Sequence, residues 1–158
     1  MSITIALLAV VSATISSLES NESAAAVSEG SDGVLHQDKA TDQWAYYQAK
    51  AIKSQMYALA ADSGGAKSQG YRDDSDREKK EEQDVRKTAE HEEELAKDAV
   101  GAQAKHEHRH HVLGISETIS HVAIAIATIA IITRQRWPWV TSIALGLAGV
   151  VAAAYAYF

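Results

Sequence analysis

The chain has 158 residues and a formal net charge of −6, a length that fits one domain. The acidic balance excludes a nucleic-acid partner, because neutralising phosphates needs a basic surface and here Lys and Arg are interleaved with a larger number of acids. Cysteine is absent, which excludes disulfides, thiol nucleophiles and cysteine metal sites.

Hydrophobic residues concentrate at the two ends and charged ones between them. Residues 3–18 are apolar but rich in Ser and Thr, with no Lys or Arg before them. A signal peptide would carry that basic flank, so residues 1–18 are expected to be a retained transmembrane anchor. The next acids, Glu19, Glu22 and Glu29, suit a segment exported from the cytoplasm.

The clearest break is SGGAKSQG at 63–70, where clustered Gly and Ser disfavour a continuing helix. It separates a first arm, 19–62, from a second, 71–111. As helices these arms would reach roughly 67 Å and 61 Å at 1.5 Å per residue. Near-equal arms rooted in one membrane are expected to form a long antiparallel helical hairpin with 63–70 at its tip. A weaker break at Gly30 to Gly33 is expected to kink the first arm.

DQWAYYQAK at 42–50 is the aromatic-rich part of the extramembrane segment. Trp44, Tyr47, Ala51 and Ile52 share one side of a helix, and Met56 and Leu59 continue the stripe. Trp44, Tyr47, Ile52 and Leu59 are therefore candidate oligomer or partner contacts, packing on the second arm or on a neighbouring subunit. The second arm carries opposite charges at helical spacing: Asp73 with Arg77, Asp76 with Lys80, Glu82 with Arg86, and Glu93 with Lys97. Its apolar positions (Val85, Ala89, Leu95, Ala96, Ala99, Val100) are too sparse for a strict-heptad coiled coil built on this arm alone.

HEHRHH at 106–111 ends the second arm. His106 and His110 are one turn apart, a spacing that chelates metals, and His111 pairs similarly with Glu107. These histidines read as a metal site, as a headgroup-level cluster attracted to lipid phosphate, or as a proton-linked switch. Residues 112–133 form a candidate span with Glu117 and His121 in its first half. Ionisable groups at that depth face protein or water, so this pair reads either as interhelical packing or as a polar lining for ions in an oligomeric pore. A short basic loop, 134–138, with Arg134, Arg136 and Trp137 suits the headgroup region. The uncharged stretch 139–158 reaches roughly 30 Å as a helix, the thickness of the hydrocarbon core. The last two spans are thus expected to form a transmembrane hairpin, with small residues Gly146, Gly149, Ala152 and Ala153 permitting close contact.

DQWAYYQAK ahead of a charged helix, HRHH at the entry to a span and TRQRWPW between two spans occur in this order from about His36 to the end of the chain. In this the sequence resembles the bacterial domain-of-unknown-function family four-three-three-seven. The resemblance implies a small multi-pass protein of the bacterial inner membrane and supplies no reaction, substrate or binding residue. The glycines at 30–33 and in the 63–70 loop are where departure from the continuous helices of relatives is expected.

The expected class is an all-α membrane protein: an N-terminal transmembrane helix, the helical hairpin and a C-terminal transmembrane hairpin. Charge in the loops favours a cytoplasmic N-terminus and periplasmic arms. No nucleophile with its base, phosphate-cradling loop or paired-carboxylate site is present, so neither an enzyme nor a cofactor is expected. The functional expectation is a membrane-anchored structural or interaction protein that self-associates through its arms and spans. Its expected partners are membrane lipids, further copies of itself and an unidentified subunit of a larger membrane complex. The alternative is an oligomeric ion channel or ion-handling protein using Glu117 and His121.

Overall fold

A computed structural model describes residues 2–158. Among these the fold is all-helical, with three helices and no strand: α1 (Ser2–Asp62), α2 (Ser68–Thr133) and α3 (Arg136–Tyr155). The apolar N-terminal segment and the first arm belong to one helix, α1. The charged second arm and the span after it likewise belong to one helix, α2.

The expected break at Gly30 to Gly33 is absent, because α1 continues through both glycines. Glycine inside a helix costs about 1 kcal/mol relative to alanine, and close packing offsets this at Gly33. A Cβ there would stand 3.3 Å from Val100 Cγ2 and 3.6 Å from Ala99 Cβ. Gly33 is thus a point of close helix approach. At the connector 63–67 glycine has a different use, since Gly64 and Gly65 have φ of 78° and 113°, a region that side chains with a Cβ disfavour. The Ser63 amide and hydroxyl close the end of α1 on the Leu59 and Ala60 carbonyls. Helix resumes at Ser68, so the connector is shorter than the expected loop.

The second connector turns through Arg134, which takes φ of 51° without being glycine. Gln135 is extended, and its side-chain oxygen accepts a hydrogen bond from Trp137 Nε1 at 2.9 Å. Pro138 lies in the first turn of α3, where its missing N–H has no intrahelical partner to lose.

The chain divides into two compact units, one of residues 2–29 with Gly101–Phe158 and one of Gly30–Val100. Within Gly30–Val100 most buried positions are small and recur at multiples of seven, Gly33, Ala40, Ser54 and Ala61 on α1 and Ser75, Ala89 and Ala96 on α2, with Ala99 and the larger Glu78 buried on a second line of α2. Ser75 Oγ donates to the Ser54 carbonyl at 3.1 Å, and the Tyr57 and Tyr71 rings stack at 6.3 Å. Small side chains let two backbones approach closely, so the sparse stripe of α2 has a narrow seam to fill.

In the other unit Ile15, Leu113 and Ala156 are buried together, with Val11, Val112 and Ala153 packed around them. Leu8 covers Gly146, Gly149 faces Ser120 and the Ser116 carbonyl, and Trp139 Nε1 donates to Thr4 Oγ1 at 3.2 Å. Each helix carries a stretch long and apolar enough to cross a membrane. Only 11% of the stretch in α1 and 28% of each of the other two is buried within the protein. Side chains such as Leu7, Val10, Ile132, Leu147 and Val151 are instead exposed, as lipid-facing residues are.

Candidate functional site

The four aromatic and aliphatic residues expected to share a contact face divide into two pairs. Trp44 and Tyr47 are half-buried and meet edge to face, with centroids 5.5 Å apart and planes at 84°. Ile52 and Leu59 point outward, exposed at 59% and 74%, with Met56 between them at 66%. Ala45 and Ala49 extend the same exposed line. The steps along Ala45, Ala49, Ile52, Met56 and Leu59 alternate four and three residues, the spacing of a coiled-coil seam. This seam has no partner helix within the chain among the described residues.

Cross-helix ion pairs are the feature that sequence reasoning missed. Glu78 of α2 is 2% exposed, yet Lys50 Nζ lies 2.9 Å from its Oε2 and Lys53 meets its Oε1; Lys50 also reaches Glu81. The ammonium groups of Lys53 and then Lys50 hold the Glu78 carboxyl below its ordinary range. Reciprocally, Glu81 and then Glu78 raise Lys50, and Glu78 raises Lys53. Further along the same unit His36 Nδ1 lies 2.6 Å from Glu92 Oε2, and this contact lowers the Glu92 carboxyl.

In the unit with the apolar stretches, His106 Nδ1 lies 2.6 Å from Glu22 Oε2 and His110 Nδ1 lies 3.4 Å from Glu19 Oε1. Arg109 stands 3.9 Å from Glu22 Oε1, with its guanidinium over the Tyr157 ring at 5.3 Å. Glu22, His36 and Lys50 follow one another at two-heptad intervals on α1, as do Glu78, Glu92 and His106 on α2. That spacing was the available signal.

Among the described residues no three His, Asp or Glu side chains converge to hold a metal ion. His106 and His110 face carboxylates on α1, whereas His111 is exposed. The structure therefore does not gather His106, His110 and His111 as a ligand set. Within α2, Glu117 Oε1 lies 3.9 Å from His121 Nε2; Glu117 is mostly buried and His121 is 61% exposed. Of the four expected charge pairs along α2, Glu93 with Lys97 forms at 3.4 Å. Arg77 takes Asp74 and Arg86 takes Glu90, each at 2.8 Å, because a cation on a helix has carboxylates in both directions and binds the one its rotamer reaches.

A family model described as Domain of unknown function (DUF4337) matches residues 1–158. No curated protein and no solved structure matches the chain.

Proposed function

We propose that this chain, which belongs to the family described as Domain of unknown function (DUF4337), is a membrane-anchored structural protein that self-associates through its extramembrane helices. In this reading the apolar stretches of α1, α2 and α3 cross the bacterial inner membrane, with the N-terminus cytoplasmic and the charged arms periplasmic. The arms fold as an antiparallel hairpin. Contacts within Gly30–Val100 support this, since rising positions on α1 (36, 50, 54) meet falling positions on α2 (92, 78, 75).

The observation that carries the reading is the exposed seam of Ile52, Met56 and Leu59. Three large apolar side chains facing water at coiled-coil spacing forgo about 1.5–3 kcal/mol each relative to full burial. The seam suits a second copy of the same chain, because an identical helix presents a matching four-three pattern. His121 adds independent support. A titratable ring 61% exposed on an apolar stretch of helix is costly against lipid and calls for cover from another subunit.

Native mass spectrometry of the full chain in mild detergent tests this. The wild type is expected as a dimer or higher oligomer, and Ile52→Ser/Met56→Ser/Leu59→Ser as a monomer with unchanged helicity. A monomeric wild type, or an oligomer that survives the triple substitution, would refute the reading.

A further inference from the structure

A recess of about 490 Å³ opens where the end of α3 meets α2, lined by Lys105, His108 and Arg109 with Tyr155, Tyr157 and Phe158. We infer that this recess binds the phosphate of an anionic phospholipid headgroup.

Charge is the first ground. Lys105, His108 and Arg109 are spaced i, i+3 and i+4 on α2, so they share one helix face, and the lining includes no Asp or Glu side chain. Glu107, the nearest carboxylate in sequence, accepts a hydrogen bond from Gln103 at 2.9 Å. Arg109 is partly balanced by Glu22 at 3.9 Å and is held in place over Tyr157. Lys105 is exposed and forms no ion pair with another described residue. Lys105 and Arg109 thus give the recess two cations against the single neighbouring carboxylate of Glu22, in a chain of net charge −6.

Depth is the second ground. α3 has 20 residues, roughly 30 Å of helix and one hydrocarbon thickness. Arg136 and Trp137 at its start therefore mark one headgroup layer, and Tyr155 and Tyr157 at its end mark the other, where aromatic side chains concentrate. Arg109 meets Tyr157, so the basic face of α2 lies in that second layer. A phosphate there would be gripped by the Lys105 ammonium and the Arg109 guanidinium, with His108 beside them, while glycerol and upper acyl carbons contact the aromatic rings. The volume falls within the range of small-molecule sites.

The experiment uses the full chain in nanodiscs of equal phosphatidylglycerol and phosphatidylcholine, ejected into a mass spectrometer to count the lipids retained. Phosphatidylglycerol is expected to be retained in preference. Lys105→Gln should lower that preference about fivefold, and Lys105→Gln/Arg109→Gln further, each basic side chain acting on an anionic headgroup near the surface. Arg109→Lys should keep most of it, and Lys97→Gln, outside the recess, should change nothing. Lys105 is exposed, so its single substitution reports on binding even if the double variant fails to fold.

Equal retention of the two lipids, or an unchanged preference in Lys105→Gln, would overturn the proposal. Millimolar inorganic phosphate should leave the preference intact; its abolition by inorganic phosphate would make the recess a site for the free anion and overturn the lipid assignment. The recess shares no residue with the Ile52 seam. Loss of self-association in the seam variant should leave lipid retention as it is, so the two readings fail separately.

Discussion

Lys50 Nζ lies 2.9 Å from Oε2 of Glu78, a carboxylate only 2% exposed, and Lys53 holds the other oxygen. A carboxylate withdrawn from water needs both cations, because desolvation is offset only when its oxygens are met. Glu78→Gln should lower the thermal midpoint by roughly 5 °C, a drop of the size one lost polar contact produces in a small domain. Lys87→Gln, on an exposed pair with Asp84, should shift it little. Circular dichroism melts of both variants check this; equal midpoints would sink the proposed importance of the Glu78 rung.

The same rungs set a pH window. Glu78 is held below its ordinary 4.5 by Lys53 and Lys50, and Glu92 by His36. The folded form therefore binds fewer protons than the unfolded form near that value. Their contribution is complete above about pH 4.5 and is lost as pH falls through the folded-state values. Lys50 and Lys53 are raised above 10.5, so their contribution is present below 10.5 and is lost as pH rises through the raised values. The melting midpoint should stay level across the middle of the range, then fall on both sides. A profile flat down to about pH 2 would contradict this.

The seam within Gly30–Val100 leaves no room for larger side chains. Ala40 and Ala89 are fully buried, and Gly33 already stands against Val100 and Ala99. Ala89→Leu or Gly33→Leu should destabilise by about 1–3 kcal/mol through overpacking. Ala45→Leu, on the exposed line, should leave the stability of the single chain within about 0.5 kcal/mol. Urea titrations in detergent separate the two outcomes.

Two glycines of α3 should respond differently to alanine. At Gly146 the new Cβ would clash with Leu8 Cδ2, the far end of a flexible side chain that can turn away. At Gly149 it would meet Ser120 Oγ at 2.8 Å and the Ser116 backbone oxygen at 3.2 Å, and a backbone atom cannot turn away. Gly149→Ala should therefore cost about 1–3 kcal/mol, and Gly146→Ala clearly less. Heat-induced aggregation measured in detergent would show the order, and reversal would mean that α3 does not pack as described.

The helical class, the three apolar stretches and the placement of charge between them were legible from hydropathy and periodicity, because a side chain's preference for apolar or aqueous surroundings is written residue by residue. The connector was legible in Gly64 and Gly65. Gly33 misled, since a glycine that breaks a helix and one that lets another helix approach look identical until the partner is known. Lys50, Glu78, Glu92 and Glu22 were passed over for a related reason. Their partners lie far away in sequence, and only a seven-residue register on both helices aligns them. The grouping of Trp44 and Tyr47 with Ile52 and Leu59 was too coarse, because one helix turns enough between Tyr47 and Ile52 to place them toward different surroundings.

Self-association through the exposed seam can be tested most directly because the chain has no cysteine of its own. A single cysteine introduced as Met56→Cys, oxidised in native membranes, should give a disulfide-linked dimer in high yield. Lys87→Cys, on an exposed position of α2, should give little. Absence of the Met56→Cys dimer, or equal yields from the two positions, would contradict the account.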